Sequence, residues 1–313
     1  MTKKVAVVGL GSMGLGIAQT LLRAGFETIG CDLNEQILRD FATAGGISVS
    51  SPGEIDADCD AVLVVVVNDE QAKSVIFGQD SGDIELLLED DGVAYNLDPG
   101  TVVLGCSTVP PDFARRCALR LEEHGILYLD TPISGGAAKA AEGQLSIMAS
   151  GAPEAFERAA TVLDTIAETV HRLGDSAGAG STFKMINQLL AGVHIAAASE
   201  AMSFGIKCGL DPQKLYQVIT HSAGCSWMFE NRVPRILDGD YTPHSAVDIF
   251  VKDLHIVQEK AANEHFPLPM ATAASQLFTM ATSMGMGRLD DSAVAKVYAS
   301  MSNIALPQPK ETD

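Results

Sequence analysis

The chain has 313 residues, of which 47% are hydrophobic and 19% charged, and it carries a formal net charge of −19. This length and composition suit two domains with substantial cores. The acidity argues against nucleic acid or an anionic membrane as a partner, because both are bound through clustered Lys and Arg that displace counterions. The six cysteines are scattered without a Cys-x-x-Cys pair, and the histidines show no His-Glu-x-x-His arrangement, so neither a disulfide framework nor a metal site is expected. The apolar run at 5–10 is too short for a signal peptide or a membrane span, which points to the cytoplasm.

In chain order, an apolar strand at 5–8 runs into Gly9-Leu10-Gly11-Ser12-Met13-Gly14, and a helical pattern follows through Ile17, Leu21 and Leu22 to Gly25. In a strand, glycine turn and helix, Gly9 permits the tight turn, Gly11 lets the backbone approach a pyrophosphate, and Gly14 lets helix and strand pack closely. The helix N-terminus offers free N–H groups to the phosphates. A flexible loop is the plainer reading of the glycines alone, and their position between strand and helix favours a dinucleotide site. A second strand at 27–31 leads to Asp32 and Leu33. A carboxylate there accepts hydrogen bonds from an adenosine ribose and repels a 2′-phosphate, which predicts NAD over NADP. The alternative role for Asp32 is N-cap of a helix starting near Asn34.

Strands at 61–67, 101–105 and 126–130 alternate with helices at 71–77 and 111–123. Continuous apolar strands between helices imply a parallel sheet covered on both faces. Ligands of such sheets bind beyond the carboxyl ends of the strands, which nominates Val67, Asn68, Ser107 and Thr108 as cofactor neighbours. The stretch 79–91 interrupts the alternation with six acidic residues and reads as a solvated surface excursion with one short amphipathic turn.

Ser134-Gly135-Gly136, just after the 126–130 strand, offers a hydroxyl and successive backbone N–H groups to an anion. The plainer alternative is a tight turn leading into a hairpin around Gly143. Beyond Gly178 the pattern becomes helical, at 181–208, 212–222, 244–264, 269–284 and 292–301, and the many small residues suit close helix crossings. The fold class is therefore an α/β N-terminal Rossmann domain (1–176, NAD-binding) followed by an all-α C-terminal domain (177–313). Lys184 is the only Lys or Arg between Arg172 and Lys207, on an otherwise apolar stretch. Desolvation lowers a lysine pKa towards the range useful in proton transfer, whereas a lysine that reaches solvent or pairs with a carboxylate has no such role. Trp227 and Met228 read as core residues rather than substrate contacts. Arg232 reads either as a surface ion pair or as a group recognising a polar acid.

The ordered set Gly9-Leu-Gly-Ser-Met-Gly14, Asp130-Thr-Pro-Ile-Ser-Gly-Gly136, Gly178-Ala-Gly-Ser-Thr-Phe-Lys184, Phe250-Val-Lys252-Asp-Leu254 and Gly287-Arg-Leu-Asp290-Asp-Ser-Ala293 covers nearly the whole chain. In it the chain resembles the β-hydroxyacid dehydrogenases, the group that includes 3-hydroxyisobutyrate, tartronate semialdehyde and L-threonate dehydrogenases. The resemblance implies a catalytic lysine at Lys184, a substrate carboxylate held by Ser134, Gly135 and Gly136, Thr108 beside the nicotinamide, and Lys252 near cofactor or substrate. It also implies that a long helix joins the two domains and that 177–313 is a substrate and oligomerisation domain, which pairs into a homodimer or homotetramer. Within the family, 183–194, 219–232 and 240–252 are most similar to the branch that oxidises the sugar acid L-threonate at C2 to a 2-oxo tetronate. A tartronate semialdehyde reductase, a 3-hydroxyisobutyrate-type dehydrogenase and a catalytically silent cofactor-binding scaffold are the alternatives. Many members have asparagine four residues after the lysine. Here that place holds Gln188, and Asn187 stands one residue earlier, so either amide can assist Lys184.

Overall fold

The computed structural model describes residues 3–78 and 91–309, so the expected acidic excursion lies, but for Asp91, outside the described residues. The chain divides into two compact units, Met1–Lys184 and Met185–Asp313. In the first, β1 (Lys4–Val8), α1 (Ser12–Arg23), β2 (Glu27–Cys31), α2 (Glu35–Thr43), β3 (Ile47–Val49), β4 (Ala61–Val64), α3 (Asp69–Phe77), α4 (Val93–Asn96), β5 (Val102–Gly105), α5 (Pro111–Glu122) and β6 (Leu127–Asp130) alternate down the chain. They are followed by β7 (Ile133–Ser134), α6 (Gly136–Glu142), β8 (Leu145–Gly151), α7 (Pro153–Ile166) and β9 (Ala167–Arg172).

The strand order is β3-β2-β1-β4-β5-β6-β8-β7, with β9 beside β8. The pairs from β3 to β6 are parallel, and β8 runs antiparallel to β6 and β7. Order 3-2-1-4-5-6 is that of a dinucleotide-binding sheet. Its strands read as unbroken apolar runs because both faces are covered. Val5, Val7, Leu63, Leu104 and Leu129 face a core shared with α1, α6 and α7. Ala6, Val8, Val62, Val64 and Val103 face a second core built with α3, α4 and α5.

The hairpin reading of Gly143 does not hold. Residues 136–142 form α6, and Gly143 ends that helix in the left-handed conformation at φ +71°. A β-carbon on Gly143 would stand 2.7 Å from the Thr165 carbonyl oxygen.

The second unit is helical. It takes in α8 (Ala179–Lys207) from Met185 onward, then α9 (Pro212–Thr220), α10 (Trp227–Asp238), α11 (Val247–Asn263), α12 (Pro269–Ala281) and α13 (Val294–Ser302). Ile195, Phe250, Leu254, Phe278, Val294 and Val297 share its main core, with the Phe250 and Phe278 rings stacked at 5.1 Å. Gly192 lets α8 and α11 cross closely, since a β-carbon there would stand 3.0 Å from Leu254 Cδ1. At 29 residues, α8 is by length and composition alone the one helix among the described residues able to span a membrane. The helix expected at 269–284 stops earlier than its pattern suggests: α12 ends at Ala281 and passes into a wide turn, where Gly285 sits at φ +82°.

Helix α10 has no counterpart among the sequence expectations, because Pro234 lies inside it. Proline removes the N–H that would bond the carbonyl four residues back. Here that carbonyl, on Glu230, accepts instead from the Tyr216 hydroxyl at 3.2 Å. The same helix settles the two readings of Arg232. Its guanidinium forks onto the buried Asp291 at 2.5 and 2.9 Å, and Arg235 pairs with the buried Asp290. Met228 lies in the core, as expected, whereas Trp227 is exposed on the first turn of α10.

Candidate active site

One row of aligned residues defines the carboxyl edge of the parallel sheet. Cys31 pairs with Val8, Val8 with Val64, Val64 with Gly105, and Gly105 with Asp130. The segments leaving this row carry Asp32 and Leu33, the glycine turn with Leu10, Ser12 and Met13, then Val67 and Asn68, Thr108, and Ser134 to Gly136. Five strands thus deliver to one edge what the sequence spreads over more than a hundred residues.

The three glycines of the first turn are there for different reasons. Gly9 has φ +92°, and a β-carbon on it would stand 2.4 Å from the Val65 carbonyl oxygen. One on Gly14 would stand 1.8 Å from the Gly9 carbonyl oxygen. Both are demanded by the chain itself. Gly11 has an ordinary φ of −63°, and nothing lies within 4 Å of where its β-carbon would project. Helix α1 begins there with no side-chain cap and no acid in its first turn. Open space over uncapped N–H groups fits the diphosphate of a dinucleotide. Asp32 accepts from Leu10 N at 2.7 Å and from Asn34 N at 2.8 Å. It is not a helix cap: that role belongs to Asn34, which accepts from Gln36 N and Ile37 N.

The neighbouring loops are tied down through polar groups. Asn68 caps α3 by accepting from Gln71 N at 2.8 Å, and Val67 beside it is half exposed. Ser107 is buried and joins the ends of β4 and β5, accepting from Val66 N at 3.1 Å and donating to Val64 O at 3.4 Å. Thr108 is half-buried. Gly135 and Gly136 have φ of +135° and +78°, which carries the chain from Ser134 into α6. A β-carbon on Gly136 would meet nothing within 4 Å.

Asp130, at the end of β6, was not singled out from sequence, although an acid closing an apolar strand is a visible signal. It is fully buried and accepts from Gly178 N (2.9 Å), Ser181 N (2.8 Å), Ser181 Oγ (2.6 Å) and Ser150 Oγ (3.3 Å). Its carboxylate thereby fixes the first turn of α8. Burial pushes the Asp130 carboxyl above its ordinary range, against the pull of these hydrogen bonds. Lys184 follows Ser181 by one turn and is 7% exposed, so it does not reach out to solvent.

Within the second unit, Gln188 donates from Nε2 to Asp253 Oδ2 at 2.5 Å and accepts at Oε1 from Asn187 Nδ2 at 2.9 Å. Lys252 Nζ lies 2.7 Å from Asp253 Oδ1. Asp253 is a second functional candidate that the sequence reading missed. It is an acid on a helix face otherwise buried through Phe250, Leu254 and Val257. Among the described residues no group of three or more His, Cys, Asp or Glu is arranged to hold a metal.

Residues 4–174 match the NAD-binding domain of 6-phosphogluconate dehydrogenase, and residues 178–298 match the NAD-binding domain of NADP-dependent 3-hydroxyisobutyrate dehydrogenase. The chain is 54% identical to an L-threonate dehydrogenase of Cupriavidus necator over 298 residues, covering 95% of this chain and 97% of that one. The chain belongs to the β-hydroxyacid dehydrogenase family. As a β-hydroxyacid dehydrogenase it is an oxidoreductase that acts on a CH–OH group of a small molecule with a nicotinamide cofactor. It is also 48% identical to an L-threonate dehydrogenase of Escherichia coli K12, with 98% of this chain and 97% of that one covered. A crystal structure described as 3-hydroxyisobutyrate dehydrogenase from Salmonella typhimurium superposes with a TM-score of 0.87 at 47% identity, over 94% of this chain and 99% of that chain. For this β-hydroxyacid dehydrogenase the expected Rossmann and all-helical fold class is therefore the observed one.

Proposed function

We propose that the protein oxidises L-threonate at C2 to a 2-oxo tetronate, with NAD as the cofactor. The observation that carries this reading is identity of 45–54% to L-threonate dehydrogenases from several bacteria over nearly the full length. Asp32 supports NAD over NADP, because its charge repels a 2′-phosphate. A bound nicotinamide supplies the hydride acceptor. The chain supplies position and a proton path. Ser134 Oγ and the backbone N–H groups of Gly135 and Gly136 would hold the substrate carboxylate, and Thr108 would flank a bound nicotinamide. Lys184 in its neutral form would take the C2 hydroxyl proton as the C2 hydrogen left as hydride, so that the C2–O bond became a carbonyl. Asn187 and Gln188 stand within a turn of Lys184 on its helix, where one of the two amides orients a hydroxyl. Asp130 sets the register of that helix.

The Rossmann unit is assigned the cofactor, and the helical unit substrate contacts and subunit pairing. The exposed stripe Phe183, Ile186 and Leu190 on α8 supports a homodimer or homotetramer. Asp130 bonds to its start, and Ile195 and Met202 are buried, which supports α8 as a core helix rather than a membrane span, while the net charge of −19 disfavours a nucleic-acid partner.

A 3-hydroxyisobutyrate-type activity is the second reading, favoured by the description of the Salmonella structure. NAD reduction across three- and four-carbon hydroxy acids separates the two. The L-threonate reading expects the highest kcat/KM with L-threonate, and rates confined to glycerate or 3-hydroxyisobutyrate would remove it. Lys184→Ala is expected to bind NADH normally and to lose turnover by orders of magnitude. Near-normal turnover would remove the role given to Lys184.

A further inference from the structure

The polar side chains around Gln188 form a line in which each hydrogen bond dictates the next. Asp253 is 1% exposed and, as a carboxylate, offers only acceptors. Gln188 must therefore turn its amide nitrogen towards Asp253, as it does at 2.5 Å, and its carbonyl oxygen the other way. That oxygen in turn accepts only donors, and it receives Asn187 Nδ2 at 2.9 Å. With its nitrogen committed, Asn187 has its Oδ1 on the other arm of the planar amide. Among the described residues Asn187 Oδ1 receives no hydrogen bond, and the residue is half-buried. Lys252 Nζ lies 2.7 Å from the other Asp253 oxygen as an ion pair. A flipped Gln188 would set its carbonyl oxygen against Asp253, two acceptors face to face, which a buried site does not tolerate.

We propose that this relay makes Asn187 Oδ1 a dedicated acceptor for the C3 hydroxyl of the substrate, with Gln188 and Asp253 as positioning residues. The site thereby selects acids hydroxylated next to the reacting carbon over those with hydrogen or methyl there. The proposal rests on the reading that Lys184 takes the C2 proton. Asn187 follows Lys184 by three residues, so their side chains are neighbours on α8, and C2 and C3 are one bond apart. The two residues then divide the work. Lys184 receives a proton that departs, and Asn187 accepts a hydrogen bond from one that stays. It also answers which amide serves the site: Gln188 has both ends of its amide engaged, and Asn187 retains a free oxygen. A site built around an acceptor rejects an analogue lacking the matching hydroxyl, because the acceptor loses water without gaining a partner.

The test compares kcat/KM for L-threonate with that for 2,4-dihydroxybutanoate, which lacks only the C3 hydroxyl. NADH affinity is measured separately by fluorescence, and thermal unfolding reports on folding. The wild type is expected to favour L-threonate by about a hundredfold, in line with a lost hydrogen bond at a largely dry site. Asn187→Leu should lower that ratio at least tenfold, and Gln188→Met and Asp253→Asn at least fivefold, with NADH dissociation constants within twofold of wild type. Merely structural damage would lower both substrates together and leave the ratio in place, and that result in Asn187→Leu overturns the proposal. An unchanged ratio in Gln188→Met overturns the relay, and because this variant adds no buried charge it serves even if Asp253→Asn does not fold. Absence of L-threonate turnover in the wild type would overturn the substrate assignment itself along with the proposal, whereas turnover with unmoved ratios overturns the proposal alone.

Discussion

Asp130 offers a sharp test of how the lysine helix is held, because its two oxygens have different duties. One accepts from Gly178 N and Ser181 N and takes a longer bond from Ser150 Oγ, and the other accepts from Ser181 Oγ at 2.6 Å. Asp130→Ala strands two buried N–H groups, each costing about 1–3 kcal/mol, while the serine hydroxyls rotate to other acceptors. Relief of the carboxylate's desolvation offsets part of this, leaving a net loss of about 3 kcal/mol at the start of α8. Asp130→Asn behaves differently. Its oxygen takes the place facing the two N–H groups, its nitrogen faces Ser181 Oγ, and that hydroxyl turns to accept, so the loss is about 1 kcal/mol. Hydrogen exchange of the amides at 178–184 reads the difference directly, since 1.4 kcal/mol is a factor of ten. Opening should accelerate about a hundredfold in the alanine variant and about fivefold in the asparagine variant. Turnover should fall further in the alanine variant at unchanged NADH affinity, because Lys184 lies one turn beyond Ser181. Equal exchange in the two variants would refute the assignment of the two oxygens. The pH dependence has a definite sign. Burial raises the folded pKa of Asp130, so its contribution is complete below the ordinary carboxylate range and is lost as pH rises through the raised value. Asparagine removes that acid-side slope.

Further outcomes follow from single positions in the fold. Gly14→Ala drives a β-carbon to 1.8 Å from the Gly9 oxygen and should cost about 3 kcal/mol or more in a denaturation experiment. Gly11→Ala meets nothing within 4 Å and should melt at almost the wild-type temperature while binding NADH at least tenfold more weakly; the reverse pattern would dismiss the cofactor role of this turn. Asp32→Asn keeps an acceptor for Leu10 N but removes the charge, so the ratio of NADP to NAD efficiency should rise at least tenfold, and a wild type that prefers NADP contradicts the ribose assignment. Burial pushes the thiols of Cys31, Cys59 and Cys106 up to about 12, so a thiol reagent at pH 8 should label the exposed Cys208 first and leave these three until the protein unfolds. Because these folded values are raised, their contribution to stability is whole below about 9 and declines as pH climbs towards 12, which an alkaline denaturation series will show.

The parallel sheet was readable because a strand covered on both faces must be apolar throughout, and 5–8, 61–64 and 102–105 are. The additions to that sheet were not. Strand β9 reads Ala-Glu-Thr-Val-His-Arg, mostly exposed at the edge, and carries little pattern to detect. Helix α10 announces itself by Ser226 at its start and Gly239 after its end, but Pro234 between them speaks against a helix unless the Tyr216 hydroxyl is known to compensate. At the site, Lys184 was visible as a charge within apolar sequence. Its helix anchor lies 51 residues away at Ser181's partner Asp130, and the partner of Gln188 lies 65 residues away at Asp253. Contacts of that separation depend on side-chain reach across packed elements, which local spacing does not encode. That Gln188 rather than Asn187 reaches Asp253 is of this kind.

The two buried arginine pairs of the helical unit have a consequence for how the chain is made. Arg232 and Arg235 leave the ribosome well before Asp290 and Asp291, which neutralise them. Until those acids emerge, packing α10 would leave two partly buried guanidinium groups without counterions, which disfavours the packed state. The first unit has no such delay, since Asp130 finds Ser181 as soon as α8 begins. Synthesis therefore imposes an order: the nucleotide-binding half closes early on the growing chain, and the helical half waits for its last fifty residues or so before any of α10 is safe from proteases. Released chains truncated after 280 and after 300 should differ accordingly in cleavage within 227–238.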